Sequence, residues 1–250
     1  MTASDLNGLL LIDKPKGLTS HDVVAKIRHV LQMQRIGHTG TLDPDATGLL
    51  ILCLGKATKL SSQLTEGDKT YVVQFLLGTE TDTYDASGEL VAKRPVAVDF
   101  EQLRSTLSTF EGEQKQKPPL FSAVKVKGKK LYEYARKGKS VEIPERTVFV
   151  RSLKLNSYEL PKGEIEVVCS KGTYVRSLIH DLGHKLGTGA VTTDIRRMAS
   201  GLANIFQAVR LDQILDSPDP VFAVKSMLVA SELLLPPLLP PRVLAEPGTV

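Results

Sequence analysis

Residues 37 to 50 bring reactive and turn-forming side chains together: Gly37, His38, Gly40, Asp43, Pro44, Asp45 and Gly48 follow one another before the apolar run Leu49 to Leu54. Pro44 biases Asp43 away from the helical region, so its carboxylate would sit on a stiff, extended backbone. The glycines permit positive φ and let a ligand approach the main chain closely. An acid held in this way can act on carbon as a nucleophile or remove a proton as a base. His38 adds a ring that can stack or donate, and Asp45 adds a second acid. Asp-Pro and Asp-Ala-Thr-Gly are also ordinary turn chemistry, so the stretch alone leaves both readings open.

Three other groups bear on chemistry. Arg176 falls in the first turn of an expected helix, where the helix dipole disfavours a cation unless an anion is near. A surface ion pair is the alternative. Lys125, Lys127, Lys129, Lys130, Arg136, Lys137 and Lys139 crowd one segment around Tyr132, Glu133 and Tyr134. Lysines there can meet phosphates and tyrosines can stack on bases, or the segment is simply a solvated loop. His180, Asp181 and His184 imitate a His-Glu-x-x-His zinc motif. Aspartate is shorter than the usual glutamate, Gly183 weakens the helix and no third ligand is evident, so no metal is expected.

The elements that must position these groups follow from periodicity and caps. Leu9 to Ile12 reads as a strand. Thr19 and Asp22 form a capping box for a helix with Val23, Val24, Ile27, Val30 and Leu31 on one face. Ser61 to Asp68 is expected as a loop or short helix, Tyr71 to Leu77 as a strand and Gly78 to Gly88 as a connection. Asp99 should cap a helix burying Phe100, Leu103, Leu107 and Phe110 and stopped by Gly112. Phe121 to Val126 reads as a strand, followed by a partly helical basic arm. Thr147 to Leu155 pairs with Ile165 to Ser170 across Pro161-Lys162-Gly163. Thr173 should cap the helix carrying Val175, Leu178, Ile179, Leu182 and Leu186, and Val221 to Leu235 could form another until Pro236-Pro237 and Pro240-Pro241 break it. Strands and helices in no strict alternation indicate the α+β class.

Bulk properties narrow the function classes. The 250 residues are 42% hydrophobic, enough for a sizeable core, and no apolar run is long enough to span a bilayer. The start Met-Thr-Ala-Ser-Asp has neither the basic residues nor the apolar stretch of a secretion signal, so a cytoplasmic location is expected. Cys53 and Cys169 lie in apolar segments, as reduced buried thiols would. A formal net charge of +4 is compatible with a nucleic-acid partner without requiring one.

Gly37-His38-Thr39-Gly40, Leu42-Asp43-Pro44 and Ala46-Thr47-Gly48 resemble the signature loop of the TruB-type tRNA pseudouridine-55 synthases. The resemblance continues through Asp13-Lys14-Pro15-Lys16-Gly17, Leu54-Gly55-Lys56-Ala57-Thr58-Lys59, Lys69-Thr70-Tyr71, Gly78, Thr81-Asp82-Thr83, Pro118 to Lys125, Lys171 to Arg176 and Arg196-Arg197, in family order over roughly the first 210 residues. It implies a pseudouridine-synthase fold with a mixed, largely antiparallel central sheet flanked by helices, and a basic RNA-binding insertion at about 120–146. It implies isomerisation of the T-loop uridine at position 55 of tRNA, without cofactor or metal. Asp43 would be the catalytic acid and Arg176 its partner. Tyr71 would stack on the base and help remove the C5 proton, and His38 would fill the space left by the swung-out nucleotide. Tyr174 and Ile195 would lie near the base pocket, Lys14 would support the loop, and Lys125, Lys127, Lys129 and Lys130 would grip RNA. The T stem-loop of tRNA is the implied partner, with no membrane involved and a monomer expected. Residues 1–210 are expected to form the catalytic domain. Residues 211–250 should form a short C-terminal segment, too short for the family's RNA-binding barrel and its linker.

Overall fold

The computed structural model describes residues 5–235. In chain order it contains β1 (Gly8–Lys14), α1 (Ser20–Leu31), β2 (Ile36–Thr39), β3 (Thr47–Leu54), a 3-10 turn (Gly55–Leu60), α2 (Ser61–Glu66), β4 (Lys69–Leu77), β5 (Thr79–Thr81), β6 (Leu90–Lys93), α3 (Phe100–Ser108) and β7 (Gly112–Gln116). Then come β8 (Lys125–Val126), β9 (Lys129–Lys130), α4 (Leu131–Ala135), β10 (Arg146–Glu159), β11 (Lys162–Cys169), α5 (Val175–Lys185), β12 (Ala190–Ser200), β13 (Ala203–Asn204), β14 (Val209–Arg210), α6 (Leu211–Leu215) and α7 (Pro220–Met227).

One ten-stranded sheet runs in the order β14-β1-β3-β12-β4-β11-β10-β7, with β2 added to β3 and β13 to β12. Only the β1–β14 and β3–β12 pairs are parallel, so the sheet is mixed and mostly antiparallel, as expected for this α+β chain. Both faces of β1 and β3 are covered. Leu10, Ile12, Leu50 and Leu52 pack on α1, α6 and α7, while Leu9, Leu11, Leu49 and Ile51 face a second cluster with Leu64, Ala203 and Ile205. Burial on both faces explains why these strands read as continuous apolar runs rather than alternating ones. Beyond β12, Val73, Phe75, Ile165 and Val167 pack on α3 and α5 through Leu103, Leu107, Leu178, Ile179 and Leu182. Residues 211–235 continue the first of these cores, with Leu211, Ile214 and Val224 buried in it and Val229 bonded to Leu9 at 2.8 and 2.9 Å.

Local expectations met the structure unevenly. Thr19 caps α1, and Asp22 returns the bond to the Thr19 amide at 2.8 Å. Asp99 caps α3, yet Phe100 is 47% exposed and the helix ends at Ser108 before Gly112, which instead opens β7. Thr173 does not cap α5, because its hydroxyl donates to Ser170 O at 2.9 Å and Tyr174 occupies the cap position. Phe121 to Val124 is irregular; only Lys125–Val126 forms a strand, paired with β9 across Lys127 and Gly128, both at positive φ. Residues 78–88 contain β5, which pairs with β6. The expected helix of 221–235 covers only Pro220–Met227, followed by a 3-10 turn at Ser231–Leu234, while Pro236, Pro237, Pro240 and Pro241 lie outside the described residues. Among the described residues, no helix is long and apolar enough to cross a membrane. Cys53 and Cys169 are buried and free, and burial pushes both thiols up to about 11.

Candidate active site

The sheet opens where β3 changes neighbours. Along one edge β3 pairs with β2 from Ile51 to Leu54, and with β12 only at Thr47 and Gly48. Between these pairings the chain leaves the sheet as the loop 40–46. Arg197, 1% exposed, plugs the gap: its Nε donates to Leu49 O at 2.7 Å and its Nη2 to Gly40 O at 3.1 Å. A buried guanidinium persists only with such partners, so Arg197 ties both feet of the loop together.

Other ties fix the loop crest. The Leu42 amide donates to the Ser20 hydroxyl at 2.8 Å at the start of α1. Lys14, with no exposed surface, donates to Leu18 O at 2.6 Å, Pro15 O at 2.9 Å and Pro44 O at 3.1 Å. Burial lowers its pKa to about 8, against the pull of Asp43 and Asp45. Lys14 therefore supports the loop from behind. Ala46 N returns to Asp43 O at 3.1 Å, so Asp43-Pro44-Asp45-Ala46 is a β-turn with proline at its second position. The turn and the functional reading thus coincide: the turn is what presents the carboxylate. Gly48 (φ +100°) and Gly40 (φ +74°) use left-handed backbone, whereas Gly37 does not and meets nothing within 4 Å.

Asp43 and Arg176, 133 residues apart in sequence, meet here. Arg176 Nε donates to Asp43 Oδ2 at 2.9 Å; the arginine side chain is 5% exposed and that of the aspartate 42%. The cation is sealed in and the acid faces outward. Arg176 also donates through Nη1 to Thr83 O at 2.7 Å and through Nη2 to Phe121 O at 3.0 Å, and Asp85 Oδ2 lies 3.5 Å from Nη1. These acceptors explain how a cation tolerates the first turn of α5.

A cleft of about 360 Å³ opens beside the pair, of a size suited to a nucleotide. Asp43, Tyr71, Tyr174, Arg176 and Ile195 line it together, and with them Arg197, Lys69, Arg146 and Lys171. Asp43 is the single acid among those lining residues, facing five cations. Burial raises the Tyr71 phenol, opposed by the nearby Arg197 guanidinium; burial likewise raises that of Tyr174, opposed first by Ser122. Burial, then Arg197, lowers the ammonium of Lys69. The arrangement can hold a flat polar ring between aromatic and aliphatic walls, with an acid at one side and cations around it.

The remaining expected residues lie apart from the cleft lining. His38 sits on β2, half-buried, with its ring 6.4 Å from that of His21 and its Nδ1 without a hydrogen-bond partner among the described residues. Burial, then His21, lowers its pKa. Lys125, Lys127 and Lys129 project from the β8–β9 hairpin, and Lys130 lies 5.5 Å from the Tyr132 ring centre. The arm's tyrosines are partly used up within it: Tyr134 donates its hydroxyl to Val126 O at 3.1 Å, and Arg136 sits over Tyr132. Its root nevertheless belongs to the site, since Ala123 and Val124 line the cleft and Phe121 O holds Arg176. Sequence reading missed Arg197, Ser20, Asp85 and the carbonyls of Thr83 and Phe121. For Arg197 the adjacent pair Arg196-Arg197 was the available signal; the carbonyls carry none.

The His180-Asp181-His184 rival takes a different form. The His180 ring stacks on Tyr84 and His184 lies 3.4 Å from Glu80 Oε1. Burial pushes the Asp181 carboxyl up to about 6 from 3.8, opposed by His184. The folded state thus binds a proton more tightly than the unfolded chain, so this group's contribution is full below about pH 4 and lost as pH rises through about 6. Asp181→Asn is expected to raise the melting temperature at pH 8 and to leave it near wild type at pH 4. Calorimetric melts at the two pH values check this, and equal shifts at both would contradict it.

Comparison with known proteins places the chain in a family. Residues 28–175 match the model of the TruB family pseudouridylate synthase (N terminal domain). The chain is 45% identical over 236 residues to tRNA pseudouridine synthase B of Citrobacter koseri, covering 94% of this chain and 74% of that protein. Among solved structures it resembles a chain of a Cbf5-Nop10-Gar1 complex, with a TM-score of 0.67 and 32% identity over 84% of this chain and 54% of that one. It also resembles a chain of an H/ACA RNP bound to a substrate RNA containing 2'-deoxyuridine, with a TM-score of 0.64 and 29% identity over 84% and 52%. The chain therefore spans about half the length of those solved chains. With a family model covering more than half of its residues and a relative this similar, the chain belongs to the TruB family of pseudouridylate synthases.

Proposed function

We propose that this chain converts the T-loop uridine of tRNA at position 55 to pseudouridine, with Asp43, Arg176 and Tyr71 as its catalytic residues. The observation that carries the assignment is the outward-facing Asp43 carboxylate, gripped from behind by buried Arg176 at the wall of a nucleotide-sized cleft. In this isomerisation the bond from uracil N1 to ribose C1′ breaks, the base turns, C5 bonds to C1′, and the C5 proton leaves while N1 gains one. Atoms balance within the substrate, so no redox partner enters. The Asp43 carboxylate acts at the sugar, as nucleophile on C1′ or as base on the ring, as acids do in glycoside chemistry. Arg176 holds that carboxylate in place and balances its charge as RNA displaces water. Tyr71 stacks on the detached uracil and exchanges the C5 proton.

The target base is stacked within a folded loop and must swing out to reach the cleft. Arg146 and Lys171 in the cleft lining suit the flanking phosphates, and His38 is assigned to the space the base vacates. Tyr174 and Ile195 wall the base, and Lys14 steadies the loop. Action as a monomer is part of the assignment.

The decisive experiment incubates the protein with a uridine-containing T-stem-loop transcript and no added cofactor, then maps pseudouridine. Stoichiometric conversion at the T-loop uridine is expected, and an unmodified transcript would overturn the assignment. Lys125, Lys127, Lys129 and Lys130 on the arm are assigned to RNA phosphates. Changing Lys125, Lys127 and Lys129 to glutamine should reduce the slope of log affinity against log salt by about 2 to 3. An unchanged slope would remove the arm from RNA binding.

A further inference from the structure

Arg176, His180 and His184 recur at every fourth residue of α5, so they share one face of the helix. Along that face runs the segment 80–85, met once per helical turn. Arg176 Nη1 donates to Thr83 O at 2.7 Å and lies 3.5 Å from Asp85 Oδ2. One turn on, the His180 ring stacks on Tyr84 with centroids 3.7 Å apart and planes 13° from parallel. At the next turn His184 Nε2 lies 3.4 Å from Glu80 Oε1, which also accepts from Arg94 Nη1 at 2.7 Å.

Tyr84 has φ +64°, a left-handed conformation that an aromatic residue rarely adopts and that its surroundings must impose. Two ties hold it. Tyr84 O accepts from Thr192 N and Oγ1, each at 3.1 Å, and its ring lies flat on His180. His180 Nδ1 is buried without a hydrogen-bond partner among the described residues, so this imidazole serves its neighbour with its face. Burial, then His184, lowers its pKa to about 4, which keeps the ring neutral at neutral pH.

We propose that His180 is a positioning residue for the isomerisation: by stacking on Tyr84 it sets the 83–85 backbone, so that Thr83 O and the Asp85 carboxylate aim the Arg176 guanidinium at Asp43. The inference rests on the assignment of Asp43 and Arg176 to catalysis. It extends that assignment to a histidine that touches neither substrate nor the reacting atoms. It also gives the His-x-x-x-His spacing a use: three rungs of one helix grip one strap.

The test separates RNA affinity from the chemical step, using equilibrium binding of the T-stem-loop transcript and single-turnover conversion at saturating protein. His180→Ala should slow conversion about tenfold while affinity stays within about twofold, the size of effect expected from losing one aromatic stack. His180→Phe keeps a flat ring on Tyr84 and should convert within about threefold of wild type. Tyr84→Ala and Tyr84→Phe repeat the comparison from the other ring, and decide the matter if His180→Ala does not fold. Full-rate conversion by the alanine variants, equal losses in the alanine and phenylalanine variants, or a loss confined to affinity would each overturn the positioning role. Asp43→Asn in the same assay keeps the two ideas distinct. If it converts normally, the catalytic assignment fails; if it is inert while the alanine variants run at full rate, only the positioning role falls.

Discussion

Asp43→Asn is expected to leave a folded protein that binds the T-stem-loop RNA but converts its uridine at least about a thousandfold more slowly. Asparagine keeps the shape of the side chain and can still accept a bond from Arg176, but it offers no anion to the sugar. The substitution should cost little stability, because the Asp43 side chain is 42% exposed and is presented by a β-turn whose backbone bonds are unaffected. Arg176 also keeps its carbonyl partners Thr83 and Phe121 and its neighbour Asp85. Single-turnover conversion with mapped product, alongside a binding curve and a thermal melt, separates chemistry from folding. A rate above about one-tenth of wild type would remove Asp43 from the reaction.

Gly48→Ala should have the largest effect on stability. A β-carbon at Gly48 would fall 2.3 Å from Arg197 O and 2.7 Å from Arg197 N, and the residue lies at φ +100°. Both obstacles are backbone atoms of the neighbouring strand, so no side chain can turn aside to make room. The two-residue parallel contact between β3 and β12 must part or shift, and Arg197, which ties Gly40 to Leu49, moves with it. A loss of about 3 kcal/mol or more is expected, on the order of 10 °C in melting temperature, together with loss of conversion. Gly37→Ala is the control: its backbone is not left-handed and its β-carbon would meet nothing within 4 Å, so it should melt within a degree or two of wild type, about 0.5 kcal/mol at most. Matching melts for the two variants would refute this account of the strand junction.

The contrast between these glycines shows where sequence reasoning reaches its limit. Gly37, Gly40 and Gly48 look alike in a glycine-punctuated loop, yet only Gly48 lies against the backbone of a strand that arrives about 150 residues later. The α1 capping box was legible because it is made within four residues, and so was the apolar face of α5, because helical spacing repeats locally. The expectation that Phe121 to Val126 forms a strand failed because those residues spend their backbone groups on the site and the arm instead: Phe121 O on Arg176, Ser122 O and Val124 O on the start of α4.

By itself the chain's order of residues determined the class of fold, the loop that presents Asp43, the opposition of Arg176 to an acid, and the arm's positive charge. Those properties are written in turns, caps, periodicity and a motif long enough to be specific. Only the tertiary structure decided that Arg197 closes the gap left where β3 exchanges β2 for β12, that two main-chain carbonyls and Asp85 aim Arg176, and that the His180 ring lies flat on Tyr84. The reason is physical: backbone carbonyls are identical in every residue, and a buried cation is stabilised by whichever of them the fold brings within about 3 Å.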